Sequence, residues 1–155
     1  MMGMRLSSPA FAHGGKIPGR HTCDGQNISP PLDISDVPHG TKSLVLLMDD
    51  PDVPKHIRAD GMWDHWIVFN MPPDIKRIPE GMSPEGERGE NTSSGLGYTG
   101  PCPPDREHRY FFRLYALDCM LELEEGVSKA EVQAALQGHV LAAAELMGRY
   151  QRKEG

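Results

Sequence analysis

The sequence predicts a mainly β fold, a single loop-rich domain over residues 1–155 with a helix near its end. Three observations carry this. Seventeen glycines and 14 prolines among 155 residues amount to one in five, against roughly 12% in average proteins, and both residues interrupt helices. Hydrophobic residues still make up 38% of the chain and come in short blocks, so the excess signals turns rather than disorder. Eight of the ten aromatic side chains lie between Trp63 and Tyr115, which places the densest core in the second third.

Along residues 1–40, Gly14-Gly15, Pro18-Gly19, Asp24-Gly25 and Pro30-Pro31 mark turns between short extended segments. Residues 43–48 form a continuous apolar run of strand length that stops abruptly at Asp49-Asp50-Pro51-Asp52-Val53-Pro54, where two prolines forbid further pairing. Trp63 to Asn70 has the aromatic and β-branched content of a second strand. Residues 72–107 read mostly as connection, long enough to suggest a functional loop. His108 to Leu117 is the strongest strand. Alternation sends His108, Tyr110, Phe112 and Leu114 to one face and Arg109, Phe111, Arg113 and Tyr115 to the other. Ser128 and Glu131 form a capping box. Val132, Ala135, Leu136, Val140, Ala143, Met147 and Tyr150 follow at helical spacing, predicting a helix through Tyr150.

Sixteen basic against 22 acidic side chains give a formal charge of −6. That balance disfavours nucleic acid as a partner, although a pocket with local donors can still hold a small anion. No apolar run approaches the ~20 residues that span a bilayer, so no integral membrane segment is expected, while peripheral lipid contact is permitted. The N-terminal residues contain no apolar signal region, and Cys23, Cys102 and Cys119 are odd in number and widely spaced. Both features fit free thiols in a reducing cytoplasm.

The chemistry concentrates where strands meet turns. Asp50 and Asp52 stand at the end of a buried strand, and either they cap the turn or they serve a site. His65 heads the aromatic strand. His108 and Tyr110 point the same way, about 7 Å apart along theirs. Just before them, Gly95 to Gly100 lets backbone N–H groups approach a ligand closely. Imidazoles, a phenol and backbone N–H groups are donors suited to phosphate oxygens, whereas a neighbouring aspartate can orient an imidazole and favour its charged form. The set therefore suggests a pocket for a small phosphate ester.

The runs LVLLMDDPDVP, WDHW followed by IVFN, GYTGPCPP and HRYFFRLYAL resemble the phosphatidylethanolamine-binding protein family, also called Raf kinase inhibitor-like proteins. SPAF, IPGRHTCDGQNISPPL and GHVLAAAELMGRYQR are similar to its compact bacterial and archaeal branch. The resemblance spans almost the whole chain. It implies an antiparallel Greek-key β-sandwich with short peripheral helices and a C-terminal helix, and a small anion pocket at one end. It places that pocket at Asp50, Asp52, Pro54, Trp63, His65, Gly100, Pro101, His108 and Tyr110. It also implies a non-enzymatic binder without metal or cofactor, whose partners are a phosphate-containing small molecule or a phosphorylated protein segment. A homodimer is a further implication. Regulation of a kinase does not follow from pocket residues alone. The chain departs from the family pattern at Asp105-Arg106-Glu107, which is charged where glycine is usual, and at Ile34, where the bacterial branch often carries tryptophan.

Two other readings compete. An apolar strand entering Asp50-Pro51-Asp52-Val53 imitates the start of Mg-dependent phosphatases of the haloacid dehalogenase type, in which the first aspartate attacks phosphorus and the second handles the proton. That fold requires strands alternating with helices, and residues 54–115 lack helical periodicity. Cysteine chemistry by Cys102 with His108 is weaker still, because a six-residue offset across a proline-rich loop defines no dyad.

Overall fold

A computed structural model describes residues 3–152, so the first two and last three residues of the predicted domain lie outside the described residues. Among the described residues, eight strands and one α-helix follow in order: β1 (Arg5–Ser7), β2 (Leu32–Ser35), β3 (Ser43–Asp50), β4 (Trp63–Met71), β5 (Arg77–Ile78), β6 (Glu87–Arg88), β7 (His108–Leu117), α1 (Lys129–Leu136) and β8 (Val140–Tyr150), with a short 3-10 turn at Gly19–His21. Two antiparallel sheets result, one ordered β1-β2-β5 and one ordered β6-β4-β3-β7-β8. The fold is mainly β, as predicted. The stretch 72–107 is not pure connection, since it adds the short strands β5 and β6.

The continuous apolar run of β3 is explained by its position. It lies between β4 and β7, and all eight of its residues are buried. Alternation sends Leu44, Leu46 and Met48 into a core shared with Leu6, Leu32, Ile34 and Ile78 of the smaller sheet. Val45 and Leu47 enter a second core with Ile67, Phe69 and the α1 residues Val132 and Leu136. Both faces of the strand are covered, so both sets of side chains must be apolar. Ile34, 4% exposed, fills its place in the first core without an indole.

The alternation predicted for β7 holds, with His108, Tyr110, Phe112 and Leu114 all buried. The helix predicted to reach Tyr150 does not. The capping box of Ser128 and Glu131 does start α1, but the helix ends at Leu136, and Gly138 takes a φ of +81° that continues no right-handed helix. The remaining residues form β8 and pair with β7 from Leu117↔Val140 to His108↔Tyr150. Their inward set, Ala142, Ala144, Leu146 and Tyr150, packs on the first core. At Gly148 the backbone passes so close to Ile17 and Phe11 that a Cβ would come within 2.5 Å and 2.8 Å of their side chains. Pairing along the whole edge of β7 outweighs the local helix preference of the alanines.

The expected free thiols at Cys23 and Cys102 are instead a disulfide, with Cα atoms 5.4 Å apart, while Cys119 is free. The disulfide removes the free-thiol part of the argument for a reducing compartment. Among the described residues no helix is long and apolar enough to cross a membrane. The strand–helix alternation that the phosphatase reading requires is not found either. Strands β3, β4 and β7 are neighbours and antiparallel.

Candidate functional site

Antiparallel pairing brings the last residue of β3 beside the first residues of β4 and β7, at one end of the larger sheet. A cavity of about 240 Å³ opens there. Six of the residues singled out in the sequence face it, namely Asp50, Trp63, His65, Gly100, His108 and Tyr110. Asp52, Pro54 and Pro101 do not. Val53, Ile57, Pro103 and Pro104 add apolar walls that sequence reasoning did not assign.

The three carboxylates of the Asp-rich turn go to three different sets of partners. Strand alternation sends Asp49 to the far face, where Lys129 Nζ lies 3.1 Å away and the Arg113 guanidinium 3.3 Å away. Asp50, 3% exposed, turns the other way. Its Oδ1 accepts the backbone N–H of Asp52 at 2.8 Å, and its Oδ2 lies 2.6 Å from His108 Nδ1. Asp52 turns outward and accepts from the backbone N–H and the guanidinium of Arg109 at 2.8–2.9 Å. The Arg109 hydrogen bond outweighs desolvation and holds the Asp52 carboxyl below the usual range.

The two histidines are fixed differently. His65 Nδ1 donates to the Thr99 carbonyl at 2.7 Å, which assigns the proton to Nδ1 and leaves Nε2 as the free nitrogen of the neutral ring. Desolvation holds His65 below its ordinary pKa, although the Thr99 carbonyl, Asp50 and Asp49 pull the other way. His108 sits between two carboxylates, with Asp50 on Nδ1 and Asp105 2.6 Å from Nε2. Asp105 belongs to the charged segment that the sequence marks as a departure from the family pattern. Desolvation opposes its ionised form, but the hydrogen bond from His108 and the neighbouring Arg106 leave its carboxyl below the usual range. The Tyr110 ring meets His65 edge-on at 5.3 Å and stacks with His108 at 6.4 Å. Burial, then Asp50, push its phenol well above the ordinary range, so it stays protonated.

The glycine-rich wall is held rather than loose. Buried Asn91 donates to the Gly97 carbonyl at 3.0 Å and to Thr99 Oγ1 at 2.9 Å, and accepts from Gly95 N–H at 3.0 Å. Tyr98 Oη donates to the His21 carbonyl at 2.6 Å, Gly100 N–H donates to Asn27 Oδ1 at 2.9 Å, and Cys102 is bonded to Cys23. Gly100 is pressed so closely on His21 and Asn27 that a Cβ would overlap them. Pro101 contributes its carbonyl to Cys23 N–H, and Pro54 accepts from Ile57 and Arg58, so both prolines shape the walls from behind.

Away from the cavity, Asp118, Cys119 and His139 place donor atoms within 4.8 Å of one another, with His139 Nδ1 already 2.8 Å from Asp118 Oδ1. Nothing in the sequence spacing marks this group, because a strand end and a helix–strand turn bring it together.

The phosphatidylethanolamine-binding protein family model matches residues 7–151. The chain belongs to that family. A UPF0098 protein of Chlamydia trachomatis is 50% identical over 96% of this chain and 99% of its own length. One from Methanothermobacter thermautotrophicus is 52% identical over the same shares. A crystal structure of a putative phosphatidylethanolamine-binding protein homolog from Chlamydia trachomatis superposes with a TM-score of 0.95 at 50% identity, covering 97% of this chain and 99% of that one. Escherichia coli YbcL, described as a new member of the mammalian family, superposes with a TM-score of 0.88 at 30% identity, covering 98% and 100%.

The site makes one prediction about pH. His65 and fully buried His21 are both held below the ordinary histidine value, in each case chiefly by desolvation. Below about pH 6.5 the unfolded chain therefore binds more protons than the folded one, and stability falls as pH falls through that window. Urea midpoints are expected to be lower at about pH 5.5 than at pH 7.5. An unchanged or higher midpoint at the acidic pH refutes it.

Proposed function

We propose that the chain is a binding protein for a small phosphate-type anion, acting without catalysis. The observation that carries this reading is the convergence of two imidazoles and a phenol, from the ends of the two strands β4 and β7, on one cavity with apolar walls. Such a site fits a ligand with one polar oxyanion and a less polar body lying against Val53, Ile57, Trp63 and the two prolines. A cavity of about 240 Å³ is below the 300–1,000 Å³ common for whole small ligands. It suits the phosphorylated end of a larger molecule, whether a lipid headgroup, a metabolite or a phosphorylated protein segment. Any control over a kinase or other signalling partner would run through such a group.

The residues facing the cavity also speak for binding over catalysis. Its cysteine, Cys102, is in a disulfide, and among the described residues Ser93 makes no hydrogen bond to either histidine. Neither side chain is therefore placed as a thiol or hydroxyl nucleophile beside a base.

The test is a titration with inorganic phosphate or phosphoethanolamine at about pH 6, following the ring NMR signals of His65 and His108. Both are expected to move and to saturate in the millimolar range. If neither moves, the anion reading is wrong.

A further inference from the structure

Every ring nitrogen of His108 is engaged. A neutral imidazole carries one N–H, so carboxylate oxygens 2.6 Å from both Nδ1 and Nε2 require a doubly protonated ring or a protonated carboxyl. In either case no N–H of this ring remains for a ligand. The two carboxylates differ in how firmly they are held. Asp50 has 4% of its side chain exposed and also accepts the Asp52 backbone N–H. The Asp105 side chain is 39% exposed on an irregular segment, and among the described residues its other oxygen is paired with Arg106, at 3.7 Å.

We propose that the Asp105 carboxylate is an internal competitor for the anion site, occupying the Nε2 position of His108 and leaving it when a phosphate-type group binds. This rests on the anion reading above and adds a gate and a selectivity to it. With Asp105 in place, both ring nitrogens already face carboxyl groups, so there is no room on the ring for a further anionic oxygen. With Asp105 displaced, Asp50 still holds Nδ1 and the ligand oxygen takes the Nε2 position. The displaced carboxylate has a nearby cation to receive it. Beyond Asp105, and among the described residues, the Arg106 guanidinium meets the backbone carbonyls of Asp52 and Glu107, at 3.4 Å and 3.5 Å. The exchange also sets a threshold. A free carboxylate would offer His108 only what Asp105 already gives it at high effective concentration. A phosphate dianion brings more charge and a third acceptor oxygen, so the gate selects phosphate monoesters over simple carboxylates.

The experiment titrates the full chain with inorganic phosphate, and separately with acetate, reading the ring signals of His65 and His108. Three proteins are compared: wild type, Asp105→Asn and Glu107→Gln. The last removes the same charge from the same segment at a residue paired instead with Arg149, at 2.9 Å. Asp105→Asn is expected to bind phosphate about tenfold more tightly than wild type and to gain a response to acetate, while Glu107→Gln stays within about twofold. Equal or weaker phosphate binding by Asp105→Asn overturns the competitor, makes Asp105 a clamp on the ring, and leaves the anion reading standing. An equal gain in Glu107→Gln also overturns it, because the effect would then be loop charge alone. No response to phosphate in any of the three proteins overturns both this inference and the anion reading.

Discussion

Asp50→Ala is expected to lower the free energy of unfolding by about 3 kcal/mol and to abolish the phosphate response of His108. Two donors lose their acceptor in that variant, the Asp52 backbone N–H and His108 Nδ1. A buried donor left unpaired costs about 1–3 kcal/mol, more when it is charged. Asp50→Asn keeps the shape and one acceptor oxygen but turns an N–H group towards a ring N–H, so it should fall between wild type and alanine. Asp52→Asn is the informative contrast. Its partner Arg109 is half exposed, and exposed pairs are worth about 1 kcal/mol or less. Urea midpoints of the three variants check this. If Asp52→Asn proves as destabilising as Asp50→Ala, the division of labour between the two aspartates is wrong.

The second large effect concerns the cavity wall. Replacing Cys23 and Cys102 together by serine is expected to cost about 4 kcal/mol, because the bond joins residues 79 positions apart and its loss frees a long loop in the unfolded chain. The native wall should stay in place, since Tyr98, Gly100 and Cys23 N–H keep their hydrogen bonds across the same junction. Stability should therefore fall far more than phosphate affinity. Denaturation with and without a thiol reductant, together with the same NMR titration, checks both halves. A double variant with unchanged stability but lost binding would reverse the assignment, making the bond a positioning device rather than a stabilising one.

Strands β3, β4 and β7 were legible because their side chains are large and the alternation is strong, and six of the nine expected site residues face one cavity for the same reason. Strand β8 was not. Ala142, Ala144 and Gly148 carry almost no hydrophobic signal, and alanines with Glu145 and Arg149 four apart look helical on their own. Only the open edge of β7 makes them a strand. The pairing of Cys23 with Cys102 could not be read from three cysteines. The Asp-rich turn was legible as a place but not as three separate circuits, because the partners Lys129, His108 and Arg109 come from two distant elements. Asp105 stood out as a misplaced charge, yet its target depends on how residues 104–107 curl back on His108.

The register of β7 and β8 has a consequence for how the protein is made. His108 pairs with Tyr150, so the cavity end of β7 has an open edge until a growing chain has delivered β8. A chain emerging from the ribosome can assemble β3 and β4 long before that point. The cavity end is therefore the last part of the described fold to close, and damage to β8 should be felt first at the cavity.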